Sequence, residues 1–277
     1  MHLVKAFEPK NETTREIPVV ELYGPVVQGE GLVIGMQTMF LRLGGCDFRC
    51  RHCDSMYAVE PEWIKSVSTK YTVEQITKRV IQAMTIRRVK MLTITGGNPL
   101  IYDLGPLVEA FRLKGLLTSV ETQASIWRDW IELADYISLS PKGPGMIGSK
   151  SEDNIRTLRA FLMRLGARLE GLRGVYIKIP ILSDEDLEFA WKVEQELRDL
   201  EVNLPGVREM PRFLSLGNPN PPMKPGDKAP DVKVLRDRLI VSYRELCDKV
   251  MLRLYGLSSW RVLPQLHVLV FGNEKGR

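Results

Sequence analysis

Three thiols stand within eight residues of one another, Cys46, Cys50 and Cys53, in the spacing C-x3-C-x2-C. Thiolates on one tight loop can hold three irons of a [4Fe–4S] cubane and leave the fourth iron without a protein ligand. A small molecule can then chelate that iron. S-adenosylmethionine (SAM) does so through its amino and carboxylate groups, and an electron from the cluster can cleave its C–S bond to give a carbon-centred radical. The organic chemistry belongs to the cofactor, and the protein supplies orientation and a dry pocket. Zinc held by the same thiols and His52 is the alternative, although a structural zinc site normally draws two separated ligand pairs from different turns. His52, crowded against Cys53, is expected to face outward. A ferredoxin would need a fourth cysteine, and Cys247 sits alone on a helical pattern as a small buried hydrophobe.

The thiols need elements to position them. Short apolar runs predict strands at Thr38–Leu43, Val89–Thr95, Leu116–Glu121, Tyr136–Ser140, Val175–Ile179, Arg212–Leu216 and Gln265–Phe271. Helical patterns lie between them at Thr72–Thr85, Leu104–Leu113, Asp153–Leu165, Asp184–Leu200 and Val232–Leu254. In the first, Thr72 offers an N-cap, Glu74 and Gln75 follow in the first turn, and Ile76, Val80 and Met84 repeat at helical spacing. Alternation of this kind argues for an α/β fold of parallel βαβ units, wound into an open sheet or partial barrel. Chemistry then belongs at the C-terminal strand ends. Four polar motifs fall there: Gly44-Gly45-Cys46, Gly96-Gly97-Asn98-Pro99, Glu121-Thr122-Gln123 and Ser140-Pro141-Lys142. The stretch from Gly217 to Pro230 holds five prolines and two glycines, so it reads as a long loop leading into a helix. An insertion within one domain covering 1–277 is expected, at about 217–257.

Bulk properties exclude several classes. An apolar share of 44% with 26% charged residues suits a soluble globular chain. No apolar run reaches membrane-spanning length, and the mixed N-terminus does not read as a signal peptide, so no membrane partner and a cytoplasmic location are expected. The net charge of +5 is spread along the chain. Its nearest cluster, Arg87-Arg88-Val89-Lys90, reads as a solvated face, so nucleic acid is not an expected partner.

C-x3-C-x2-C after an apolar strand resembles the radical SAM superfamily, and Gly96-Gly97-Asn98-Pro99 resembles that superfamily's GGEP loop. Here Asn98 takes the acidic position, and an amide brings no charge to SAM. Gln28-Gly29-Glu30-Gly31 is similar to the QGEG segment of the 7-carboxy-7-deazaguanine synthase family. Arg42 occupies that family's F-x-R position, Cys53-Asp54-Ser55 matches its CDT or CDS step, and Pro264-Gln265-Leu266-His267 its P-Q-x-H segment. The resemblance covers about 18–182 and 260–270. It departs at Asn98, at the 217–257 insertion, and at the tail, which runs past His267 to Arg277.

The resemblance implies an incomplete TIM-like (β/α) barrel that contracts 6-carboxy-5,6,7,8-tetrahydropterin to 7-carboxy-7-deazaguanine plus ammonia, in queuosine-type 7-deazapurine biosynthesis. Cys46, Cys50 and Cys53 would hold the [4Fe–4S] cluster. Gly96, Gly97, Asn98, Glu121, Ser140 and Lys142 would approach SAM, and Ser55 would help hold Mg²⁺. Gln28, Glu30, Arg42, Gln265 and His267 would face the substrate. A flavodoxin or ferredoxin donor and a homodimer are implied as well. Two rivals are a glycyl-radical-enzyme activase, which would show D-G-P-G-x-R upstream where this chain has Gln28-Gly29-Glu30-Gly31, and a non-catalytic Fe–S or zinc binding protein.

Overall fold

The computed structural model describes residues 16–166, 169, 174–221, 227, 230–252 and 255–274. Nine strands form one sheet: β1 (Ile17–Val27), β2 (Gln37–Leu43), β3 (Thr69–Tyr71), β4 (Met91–Gly96), β5 (Leu117–Thr122), β6 (Tyr136–Leu139), β7 (Gly174–Ile181), β8 (Arg212–Leu216) and β9 (Arg261–Leu263). Their order is β3-β1-β2-β4-β5-β6-β7-β8-β9. From β2 onward every neighbour is parallel, whereas β1 pairs antiparallel with both β2 and β3. The helices are α1 (Pro61–Val67), α2 (Val73–Arg87), α3 (Gly105–Leu113), α4 (Pro144–Ile147), α5 (Ser151–Leu165), α6 (Asp184–Glu201), α7 (Val232–Met251) and α8 (Leu266–Phe271). Among the described residues, β3 and β9 remain unpaired edges, so the (β/α) barrel is incomplete, as expected.

Local chemistry accounts for the main elements. Thr72 and Gln75 exchange hydrogen bonds in a capping box that starts α2. Val73, Ile76, Val80 and Met84 then bury one face of it. Ile155, Leu158, Leu162 and Leu165 do the same for α5. Strand β8 is buried along its whole length, as central parallel strands are. Its Arg212 is neutralised by Glu194 at 2.7 Å and Glu201 at 2.9 Å, both from α6.

One predicted strand is a helix. Gln265–Phe271 was expected as a core strand carrying His267, but Leu266–Phe271 is α8, begun after Pro264 and ended at Gly272. A six-residue apolar run does not show its period. Tertiary contact decided it, because the turn into α8 lets the Leu266 amide donate to the Gly29 carbonyl at 3.1 Å. After the proline-rich stretch the chain returns to the same sheet through β9, which pairs with β8. The α7 pattern, expected to reach Leu254, is helical to Met251. Residues 253–254 and most of 222–229 lie outside the described residues.

Candidate active site

A cavity of about 350 Å³ opens where the C-terminal ends of the parallel strands meet the barrel interior. The loop after β2 brings Cys46, Cys50 and Cys53 to its wall. The loops after β4, β5 and β6 add Gly96 and Gly97, then Glu121 (the penultimate residue of β5), then Ser140 and Lys142. Gln28, Glu30, Arg42, Ser55, Gln265 and His267 line the same space. Of the residues singled out from sequence, Asn98 alone lies off this wall: it is fully buried and turned into the protein. His52, expected to face outward, lies at the cavity edge with Nδ1 3.0 Å from the Pro219 carbonyl.

The thiols sit among weak donors. The Phe48 amide donates to Cys46 Sγ at 3.4 Å and Gln123 Nε2 does so at 3.6 Å. Ser55 Oγ lies 3.8 Å from Cys53 Sγ. Burial pushes all three thiols up, Cys50 to about 11 and Cys53 to about 12, while Lys142 pulls Cys46 and Cys50 the other way. Donors to sulfur and a nearby ammonium suit thiolates that carry a cluster. Among the described residues, no three His, Cys, Asp or Glu side chains gather as around a single ion.

Glycine makes the close approaches possible. A Cβ on Gly97 would lie 2.0 Å from the Gly45 carbonyl oxygen, so the β4 loop and the cluster loop touch backbone to backbone. Gly97→Ala should therefore push the loops apart and cost about 2 kcal/mol, the usual scale for overpacking. Urea unfolding of the cluster-free protein measures it; an unchanged midpoint would show that the loops yield freely.

The opposite wall is polar and tightly paired. Glu30 accepts from Lys178 Nζ at 2.6 Å, Ser215 Oγ at 3.1 Å and Gln265 Nε2 at 3.1 Å. Burial alone would push its carboxyl up, but Lys178, then His267, and the hydrogen bonds from Lys178 and Gln265 bring it down to about 2. Burial likewise opposes charge on Lys178, and Glu30 and Glu121 more than reverse this, holding its ammonium well above the ordinary range. Gln28 donates through Nε2 to Glu121 at 3.1 Å, and Thr95 Oγ1 donates to the other Glu121 oxygen at 2.7 Å. Arg42 donates through Nε to Glu21 at 2.9 Å and reaches Tyr23 Oη at 3.5 Å. Tyr57 Oη donates to the same Glu21 oxygen at 2.9 Å. A carboxylate and two phenols thus hold the guanidinium at the cavity.

Lys178, Glu21, Tyr23 and Tyr57 escaped sequence reasoning. Lys178 left a signal, a charge between Ile177 and Ile179 in a strand otherwise built for burial. Glu21 and Tyr23 left none, since β1 was not foreseen and its polar residues look like those of any exposed strand, and Tyr57 stands in a short turn just past the thiols with no pattern to mark it.

The radical SAM superfamily matches residues 41–145. The 7-carboxy-7-deazaguanine synthase of Bacillus cereus is 33% identical over 264 residues, covering 94% of this chain and 99% of that protein. The chain belongs to the 7-carboxy-7-deazaguanine synthase family. The synthase of Bacillus subtilis agrees, at 35% identity over 94% of this chain and 98% of its own. The crystal structure of QueE from Escherichia coli shares the fold, with a TM-score of 0.53, 18% identity, and coverage of 92% of this chain and 96% of that one. Both Bacillus relatives match almost end to end, so the 217–257 stretch lies within the aligned span.

Proposed function

We propose that the chain catalyses radical ring contraction of 6-carboxy-5,6,7,8-tetrahydropterin to 7-carboxy-7-deazaguanine, with loss of ammonia. The observation that carries this reading is that a three-thiol loop and a carboxylate-rich pocket share one cavity, in a chain with end-to-end family relatives. Cys46, Cys50 and Cys53 would hold the [4Fe–4S] cluster, and Gly96, Gly97, Ser140 and Lys142 would flank SAM. When bound, the pair supplies a hydrogen-abstracting radical.

The chain's own residues bind and orient. Arg42 spends Nε and one further donor on Glu21 and Tyr23, and a guanidinium has five N–H donors. The rest suit a carboxylate, in fork geometry. Glu30 is held ionised by Lys178, so it is an acceptor only, and with three of its roughly four acceptor directions in use it keeps one for an N–H of an aminopyrimidine edge. His267 and Gln265 approach from α8 and the residue before it. Gln28 carries the positioning of this turn to Glu121 at the foot of the SAM loops. An external one-electron donor is needed; flavodoxin or ferredoxin, and a homodimer, complete the proposal on the strength of the family resemblance.

Ser55 Oγ, hydrogen-bonded to Asp54 Oδ1 at 3.1 Å, faces the cavity. It offers one hard oxygen to Mg²⁺, which commonly completes its shell with water and substrate oxygens. Bound there, magnesium would supply Lewis-acid and template effects. Ser55→Ala should keep full iron content yet need at least about ten-fold more Mg²⁺ for half-maximal rate, in the range that outer ligand changes produce. Titration of rate against Mg²⁺ reads this directly, and an unshifted curve would remove Ser55 as a ligand.

The experiment for the whole reading is anaerobic. Reconstituted, reduced protein is mixed with SAM, Mg²⁺ and 6-carboxytetrahydropterin, and products are identified by mass spectrometry. Appearance of 7-carboxy-7-deazaguanine is expected. Formation of 5′-deoxyadenosine without it would overturn the substrate assignment while leaving the radical chemistry.

A further inference from the structure

Asn98 sits at the end of the Gly96-Gly97 loop, fully buried, and every hydrogen-bonding position of its amide is used. Oδ1 accepts from the Leu100 amide at 3.3 Å and from Thr122 Oγ1 at 3.0 Å. Nδ2 donates to Asp47 Oδ1 at 2.8 Å and to Ser125 Oγ at 3.2 Å. Two donors and two acceptor directions are all an amide possesses. Nothing remains to offer a ligand.

Asp47, the residue after Cys46, is the point where this network becomes specific. Its Oδ1 also accepts from Gln123 Nε2 at 2.7 Å, and that nitrogen lies 3.6 Å from Cys46 Sγ. Gln123 is fixed from behind too, because Asn154 Nδ2 donates to its carbonyl at 2.9 Å and Asn154 Oδ1 accepts from the Lys142 amide at 2.8 Å. The carboxylate at 47 therefore requires a donor at 98. A carboxylate at 98 would set two anions edge to edge, in a spot where one of them is fully buried.

We propose that Asp47 and Asn98 are paired positioning residues that fix the cluster loop and aim the Gln123 amide at the Cys46 sulfur. The negative charge at this corner belongs to position 47, and position 98 faces the protein. Through Gln123 the pair sets the N–H···S bond to the first cluster thiolate, and such bonds tune the reduction potential. The inference rests on the reading of Cys46 as a cluster ligand, but its first readout does not.

The test compares Asn98→Asp, Asp47→Asn and the double exchange with the parent chain. In cluster-free protein, Asn98→Asp should lower the thermal midpoint by roughly 5 °C, the scale of a kcal/mol or two in a chain of this size. The exchanged pair, Asp47→Asn with Asn98→Asp, restores a donor facing an acceptor and should recover at least half of that loss. After reconstitution, Asn98→Asp should bind less than half the parent's iron. Asp47→Glu, altered at an exposed side chain, expected to fold and keeping the charge while displacing the carboxylate from Gln123, should bind iron but show a more negative midpoint potential, as should Gln123→Leu, which removes the N–H···S donor. A purely structural role would leave that potential unmoved. Additive losses in the double variant, or an Asn98→Asp protein indistinguishable from the parent, would overturn the pairing. An unshifted potential in Asp47→Glu and Gln123→Leu would overturn the link to Cys46. Should Asn98→Asp fail to fold, the Asp47→Glu and Gln123→Leu potentials still decide. If the parent itself takes up no iron, the cluster reading fails, and the stability exchange still stands or falls alone.

Discussion

Cys50→Ala protein is expected to fold, to carry little or no iron after reconstitution, and to form no 5′-deoxyadenosine from SAM. Cys50 is 9% exposed and its thiol is pushed up to about 11, first by burial. Unliganded, it is a neutral, small, half-apolar side chain, and alanine replaces it at the cost of roughly 1 kcal/mol of packing. The cluster has no such tolerance. With three thiolates available, losing one leaves an iron exposed that nothing nearby replaces, since the one remaining cysteine, Cys247, lies on α7 away from the cavity. Iron per chain, visible absorption and the circular dichroism melt separate the two effects. Full iron in a folded variant would show that Cys50 is not a ligand.

Glu30→Gln should be the most damaging change on the opposite wall. It leaves Lys178 charged in a buried setting, with side chains 13% and 11% exposed in the parent pair. Breaking a buried pair from one side costs about 3–4 kcal/mol, because the surviving charge keeps its desolvation penalty. Glu121 softens this, being the second charge that raises the Lys178 pKa. Activity should fall by about two orders of magnitude or more, on the scale of a lost charged contact to substrate. The pH dependence has a definite sign. The Glu30 carboxyl falls from an ordinary 4.5 to about 2 on folding, so its stabilisation is complete above pH 4.5 and drains away as pH falls toward 2. Lys178 is shifted upward and adds no change through the neutral range. The stability gap between parent and Glu30→Gln should thus be constant from pH 5 to 9 and narrow below 4.5. Urea unfolding at stepped pH measures it, and a gap that widens on acidification would refute the assigned pairing.

Much of the cluster side was legible because its chemistry is local in sequence. Cys46, Cys50 and Cys53 announce themselves by spacing, and Gly96, Gly97, Ser140 and Lys142 follow short apolar runs that alternate with helical patterns, as parallel strands do. The capping of α2 was readable at Thr72 and Gln75 for the same reason. What was not legible depends on distant partners. Strand β1 alternates weakly, and it is a strand because β2 and β3 flank it on both edges. Leu266–Phe271 carries an apolar run that either period fits, and the contact with Gly29 turned it into a helix. Asn98 read as a cofactor contact from its motif, yet Asp47 and Thr122 claim its amide. Lys178 could have been flagged as a misplaced charge, but its partner Glu30 lies 148 positions earlier, and no periodicity spans that distance.

The QGEG turn reaches across the barrel mouth. Gly31, at φ +65°, passes so close to Tyr176 that a Cβ would lie 2.3 Å from its ring, and Glu30 then bonds Gln265, 235 positions later. Strands β4 to β9, by contrast, each pair with the next in line, so the thiol loop and the rim beside it are built from near neighbours. Long-range closure is the slow kind of contact to form. During synthesis the two walls of this pocket therefore arrive at different times. The half that carries the thiols can take shape while the half around Glu30 still awaits the last stretch of polypeptide. A chain that stops before α8 would hold three thiols beside a cavity still lacking Gln265 and His267.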